Sequence, residues 1–261
     1  MSSQSIKLTV DNRKIATLTL NRPEFHNAVS LEMIREMRRI IEELNSNPEL
    51  RGVILTGAGK TFCAGMDLRW MQNISTQNRA NRIAEATELS EMLNELDQLN
   101  KPLIAKINGH SFGGAIGLIS CCDFAVASEN AEFSLTEVLL GLLPATISPF
   151  VIRRIGAANA RRIMLNAHRF SAKEAVRIGL VTKAVSSQYL KKEIEKEISD
   201  LLRCAPEAVS STKILISEVR GKEPYTVREH TIEKLADAWE TESVKEGIDA
   251  FFNKRKPAWS Q

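Results

Sequence analysis

At 261 residues the chain has the length of one large domain, or of one domain with a small appendage. A composition of 43% hydrophobic and 26% charged residues is that of an ordinary globular protein, and it excludes a disordered or fibrous chain. The net charge of +3 is too small to argue for nucleic acid without a clustered basic face, and no apolar run approaches the roughly 20 residues that span a bilayer.

In chain order, Ile6–Val10 and Ile15–Leu20 are β-rich runs parted by the polar cluster Asp11-Asn12-Arg13-Lys14, which predicts a hairpin rather than a charged-then-apolar leader. Asn21-Arg22-Pro23 breaks it. Ser30 is a good N-cap for a helix over residues 31–45, with Met33, Met37, Ile40, Ile41 and Leu44 on its apolar face. Asn47-Pro48 stops that helix, and residues 53–56 form the next strand, running into Gly57-Ala58-Gly59-Lys60. This loop matches neither the phosphate-loop pattern nor the dinucleotide fingerprint, which needs a third glycine. A second glycine turn follows at residues 61–68, then a polar helical segment over 76–99 with Ile83, Ala86, Leu89, Met92, Leu93 and Leu96 at helical spacing.

Lys101-Pro102 opens the apolar strand Leu103–Ile107, which runs through Asn108-Gly109 to the pair Gly113-Gly114 and a helix over 115–121. Short strands follow at 124–127 and 131–135. The order strand, glycine turn, helix, strand thus occurs twice, which argues for an α/β fold with right-handed crossovers. From Ser148 onward the pattern is helical, over 149–155, 158–165, 172–178, 188–203, 206–219 and 227–252. The expected division is an α/β core of residues 1–187 and a C-terminal helical region of residues 188–261.

Cys63, Cys121, Cys122 and Cys204 show no CxxC or Cys/His spacing, so no metal site is expected. They read as structural thiols in a reducing compartment, and the expected location is cytoplasmic.

Three places carry chemistry. Adjacent glycines at the strand-to-helix junction let the Gly114 N–H point at an oxygen that gains charge, although tight packing alone would also explain them. Gly65-Met66-Asp67 offers a second amide, from Met66; the plainer reading is a turn with Asp67 capping a helix. Glu137 is the only acid in the apolar window 133–144, where burial would raise its proton affinity and suit it to acid/base work; the plainer reading is a carboxylate at a helix N-terminus or on the surface. His110 and His168 read as structural, and the absence of GxSxG leaves a hydrolase triad unsupported.

These residues bring a resemblance. Residues 62–68 (FCAGMDL), Ile107-Asn108-Gly109, Phe112-Gly113-Gly114 and Cys122-Asp123 resemble the two signature segments of the crotonase (enoyl-CoA hydratase/isomerase) superfamily. Leu20-Asn21-Arg22-Pro23 with Asn27-Ala28, and Glu246-Gly247-Ile248 to Lys256-Pro257, are similar to its two ends. The resemblance implies a ClpP/crotonase-like spiral of repeated β-β-α units with a C-terminal helical trimerisation region. It implies an acyl-CoA thioester whose carbonyl is held by the Met66 and Gly114 amides, with Glu137 as the acid/base. The coenzyme A portion would contact Phe25, Asn27, Ala28, Ala64, Gly65, Asp67, Leu68 and Gly113, and a helix near Phe251 and Lys254 would close the site of a neighbouring copy. The implied assembly is a homotrimer or dimer of trimers. No cofactor is implied beyond the coenzyme A that enters with the substrate, and neither nucleic acid nor membrane is an expected partner.

One departure matters. Family hydratases carry two glutamates; the later one matches Glu137, but the earlier position is Gly117, which has no side chain. Residues 142–152 (LLPATISPFVI) are similar to a bacterial subgroup assigned as methylglutaconyl-CoA hydratases, which implies a hydratase-type lyase favouring short branched 2-enoyl-CoA substrates. Gly117 instead supports a Δ3,Δ2-enoyl-CoA isomerase that works with Glu137 alone. A non-catalytic coenzyme A- or RNA-binding paralogue is the remaining alternative; its RNA arm would rest on the clusters Arg35, Arg38, Arg39 and Arg153, Arg154, Arg161, Arg162.

Overall fold

A computed structural model describes residues 4–260. The predicted hairpin forms as β1 (Ile6–Val10) and β2 (Ile15–Leu20), paired antiparallel from Ile6 opposite Leu20 to Val10 opposite Ala16. The helix α1 (Leu31–Ser46) starts where Ser30 caps it, its hydroxyl accepting the Met33 N–H at 3.2 Å. Ile34 belongs to its buried face, whereas Ile40 is half-buried. After β3 (Gly52–Gly57) come α2 (Leu68–Thr76) and α3 (Arg79–Asp97). Asp67 and Asn78 cap these two helices; the helix expected over 76–99 is α3, which starts three residues later at its Asn78 cap, and α2 precedes it.

The central repeat follows: β4 (Leu103–Ile107), β5 (Ser111–Phe112), α4 (Gly114–Ser120), β6 (Phe124–Ser128) and β7 (Glu132–Ser134). Next are α5 (Ser148–Met164), β8 (Phe170–Ser171), α6 (Ala172–Arg177) and β9 (Lys183–Val185). Gly156, at φ +75°, interrupts α5 where two separate helices were expected. The last four helices are α7 (Leu190–Leu202), α8 (Pro206–Val219), α9 (Arg228–Trp239) and α10 (Glu242–Phe252). The single run expected over 227–252 is divided, because Thr241 starts a new helix by accepting the Val244 N–H.

Two sheets result. The larger has the order β1-β2-β3-β4-β6-β9, parallel throughout except for the hairpin; the smaller is β5-β7-β8. Two successive passes, β4-β5-α4 and β6-β7-α5, add one strand to each sheet before a helix returns. That is the expected spiral of β-β-α units.

Alternation of side chains explains why both faces of the large sheet are covered. Ile15, Ile54, Ile104 and Val126 point to one face and pack against Leu190, Ile194 and Ile198 of α7. Leu18, Leu20, Val53, Leu55, Leu103 and Ile107 point to the other, into the main core with α1 and α4. The first helix of the region beginning at residue 188 therefore packs as part of the core. By contrast, α8 and α9 bury no residue and α10 buries only Ala250. No helix among the described residues is long and apolar enough to cross a membrane.

Candidate active site

The smaller sheet continues, by single rungs, into the loops that carry the predicted amides. Cys63 pairs with Ser111 of β5, and Val29 pairs with Met66. The rungs are ordinary backbone bonds: Phe112 N–H donates to Cys63 O at 3.0 Å, Val29 N–H to Gly65 O at 2.7 Å, and Asp67 N–H to Val29 O at 2.9 Å. On the far side, Gly113 N–H donates to Ser134 O of β7 at 2.8 Å. Met66 and Gly114 are thus held by their neighbours' bonds. Their own N–H groups find no acceptor among the described residues.

Two glycines let these loops close on each other. Gly65 has φ +94° and Gly113 φ +52°, backbone that side chains disfavour. A methyl built on Gly65 would lie only 2.9 Å from Phe112 O and 3.5 Å from Gly113 Cα. The Met66 loop and the Gly114 loop are therefore in backbone contact.

Glu137 reaches the same place from β7. It begins a 3-10 turn, Glu137–Leu140, that ends at Gly141 with φ +71°. A methyl built on Gly113 would lie 3.3 Å from Glu137 Oε1, so the carboxyl stands against Gly113. Its Oε2 is buried with no hydrogen-bond partner among the described residues. Burial pushes the carboxyl's pKa above the usual glutamate range, outweighing the opposing bond from its own backbone N–H. A proton-accepting carboxyl beside two unengaged amide donors can shift a proton on a carbon next to a carbonyl while the amides hold the oxygen.

A model of the enoyl-CoA hydratase/isomerase family matches residues 11–261. The chain belongs to that family. It is 34% identical over 249 residues to a crotonyl-CoA hydratase of Syntrophomonas wolfei, covering 93% of each chain. It is likewise 34% identical over 251 residues to a mevalonyl-coenzyme A hydratase of Aspergillus fumigatus, covering 94% of this chain and 91% of that one. Among solved structures, Pseudomonas aeruginosa AtuE superposes with a TM-score of 0.95 at 34% identity, covering 99% of this chain and 100% of that chain. An enoyl-CoA hydratase from Shewanella pealeana gives 0.94 at 36% identity, covering 99% and 97%. The crotonase-type enzyme expected from the sequence is thereby established, and three of these four relatives are named as hydratases.

The remaining predicted residues of this family member divide into three groups. Ala64, Gly65, Leu68 and Gly113 lie on or beside the two amide loops, with Leu68 74% exposed, and Phe25 is exposed on the neighbouring loop. Asn27 and Asp67 are different: both side chains are spent inside the protein. Asn27 is fully buried, donating to Ala58 O and Thr61 O at 2.8 Å each and accepting the Arg22 N–H at 3.0 Å. Its φ of +57°, following His26 at +50°, turns the 22–29 loop tightly, a conformation Asn tolerates better than most residues. Asp67 accepts from Arg22 Nη2 at 2.8 Å and from the Arg69 and Trp70 amides. Both are therefore positioning residues, and any contact they make with a ligand is through backbone. Ala28 is buried beside them.

Phe251 and Lys254 stand apart at the end of α10, with Phe251 77% exposed. No hydrogen bond or ion pair among the described residues joins α10 to the amide loops. His110 and His168 have other partners: His110 Nδ1 accepts the Glu132 N–H at 3.1 Å, and His168 Nδ1 meets Asn166. The arginine clusters are largely answered within the chain. Arg35 binds Glu88, Arg38 binds Glu91 and Glu95, Arg153 binds Asp97 and Arg162 binds Glu174. Sequence reading missed Arg22, which besides Asp67 donates to Ala28 O at 2.8 Å and sits over the Phe25 ring at 4.7 Å.

Proposed function

We propose that this enzyme adds water to a short 2-enoyl-CoA thioester, branched acyl chains favoured, with Glu137 as its only acid/base. The observation that carries this reading is the half-buried Glu137 carboxyl, its Oε2 enclosed and without a partner among the described residues, beside Gly113 and near the free amides of Gly114 and Met66. Glu137 would accept a proton from water as the water oxygen bonds to C3. The double-bond electrons move onto the thioester oxygen, where the Met66 and Gly114 amides stabilise the enolate. The enolate then collapses as Glu137 returns the proton to C2. One carboxyl cycles one proton, and the net change is addition of H2O. Coenzyme A would run along the 25–28 and 64–68 loops.

One observation favours a second reading. Gly117 supplies no second carboxyl to hold a water, so Glu137 alone could move a proton from C2 of a 3-enoyl-CoA to C4. A panel of crotonyl-CoA, 3-methylglutaconyl-CoA and a 3-enoyl-CoA separates the two. Hydration removes the absorbance of the conjugated thioester and yields an alcohol; isomerisation creates that absorbance and yields none. Full conversion of the 3-enoyl-CoA with no hydration of either 2-enoyl-CoA would replace the first reading by the second.

A homotrimer, alone or paired into a dimer of trimers, is part of the proposal, with Phe251 and Lys254 closing a neighbour's site. Its support is the apolar surface that α8 to α10 leave uncovered, including Leu235 at 63%, Trp239 at 58% and Phe252 at 77% exposure.

A further inference from the structure

Gly117 lies in α4, one helical turn past Gly114, and the space beside it is already taken. A methyl built there would lie 2.4 Å from Ile147 Cγ2 and 2.8 Å from Ile147 Cβ, with Leu93 Cδ2 at 3.7 Å on another side. Rotation of Ile147 about its first side-chain bond moves Cγ2 and leaves Cβ where it is. Every rotamer of Ile147 therefore still collides with a side chain at position 117, and relief requires the backbone to shift.

That backbone is fastened on both sides. Ile147 is 3% exposed and immediately precedes α5, its carbonyl accepting the Val151 N–H at 3.1 Å. Ser148 ties the entering turn, its N–H and hydroxyl donating to Ala145 O at 3.2 and 2.8 Å. On the facing helix, Cys121 N–H donates to Gly117 O at 3.2 Å and Cys121 Sγ to Leu93 O at 3.5 Å, joining α4 to α3. A β-branched residue wedged between fixed helices has few ways to yield.

We propose that Ile147 is a specificity-determining residue that holds this site to one carboxylate. Its side chain occupies the room a side chain at 117 would need, so no single substitution at 117 can supply a second acid; positions 117 and 147 must change together. This inference rests on the reading of Glu137 as the acid/base. It adds that the one-acid state is enforced by packing, and that Ile147 is the residue that enforces it.

Two measurements test it. The first needs no activity: a melting cycle at one protein concentration. Gly117→Ala alone is expected to lower the melting temperature by roughly 5 °C, the effect of overpacking a tight core. In an Ile147→Gly background the same change should cost nothing, and in Ile147→Ala, which keeps the Cβ at 2.8 Å, it should be relieved only in part. An equal drop in all three backgrounds would overturn the proposal, whether or not the enzyme turns over any thioester.

The second compares Gly117→Glu/Ile147→Gly with Ile147→Gly alone. The added carboxyl should raise the ratio of hydration to isomerisation by about 10-fold or more. It should also shift the pH profile of kcat/KM, because two carboxyls sharing a site titrate as a coupled pair. An unchanged ratio and profile in a folded double variant would remove Ile147's role in the chemistry. Full activity of Glu137→Gln would instead sink the acid/base reading while leaving the result of the melting cycle intact.

Discussion

Arg22 Nη2 donates to Asp67 Oδ2 at 2.8 Å, and this bond ties the loop after β2 to the loop that carries the Met66 amide. The pair is shielded, with side-chain exposures of 17% and 8%. Asp67 also caps α2 through the Arg69 and Trp70 amides. Asp67→Asn would leave the guanidinium facing a neutral partner in a partly dry place, and should destabilise the protein by about 3 kcal/mol in denaturant unfolding. Loss below about 0.5 kcal/mol would show that the loops are held by their backbone rungs alone.

Asp67 and Glu137 should also oppose each other in their effect on stability against pH. Burial acts to raise the Asp67 carboxyl's pKa, but the bonds from Arg22 and from two α2 amides outweigh it and hold the carboxyl below the usual aspartate range. Its stabilisation is therefore present above the ordinary aspartate pKa and lost as pH falls through the depressed value. Glu137 is raised by burial, so its contribution is full below the ordinary glutamate pKa and lost as pH rises through the elevated one. Glu137→Gln should accordingly raise the melting temperature at neutral pH and leave it nearly unchanged in acid. A melting gain of equal size at both pH values would contradict the raised pKa.

The same substitution should abolish most activity. Glu137→Gln keeps the volume and removes the proton carrier, so kcat should fall by roughly 10²–10⁴-fold with a small change in KM. Steady-state rates on the preferred thioester check this.

The Gly114 amide can be deleted without disturbing the helix. Gly114 is the first residue of α4, where proline is tolerated, and a Cβ built on it meets nothing within 4 Å. Gly114→Pro should fold normally and lose about 10²–10³-fold in kcat, as expected for one oxyanion donor. Gly114→Ala keeps the N–H and serves as the control. Equal rates for the two variants would mean the amide holds no developing charge.

Association should depend on the apolar faces of the last helices. Replacing Leu235 and Trp239 together with glutamate should convert the assembly to monomer in analytical ultracentrifugation, since neither side chain supports the core of its own chain. A wild-type chain that sediments as a monomer would remove the trimer from the proposal.

Much of this fold is legible in the sequence because its strands and long helices carry a period. The hairpin, α1 with its Ser30 cap and the apolar β4 stand where the pattern places them. What escapes reading is too short to have a period, as with the two-residue β5 and β8, or is split by a cap, as at Thr241. Residue types at the glycine pair and Glu137 point to a site, and the structure brings these together. Arg22 with Asp67 and Gly117 with Ile147 were hidden, because partners far apart in the chain leave no local trace.

The single rungs at Cys63–Ser111 and Val29–Met66 carry a consequence for how such a site can change. The amide of Met66 is aimed by hydrogen-bond register, to which the Met66 side chain contributes nothing. The Met66 side chain can therefore be exchanged while its amide stays in place, whereas Gly65, Gly113, Asn27 and Asp67, which hold the loops, cannot. In the proposed reaction the oxyanion donor at Met66 belongs to the path of the chain and the proton carrier to the Glu137 side chain, so the two can be altered separately.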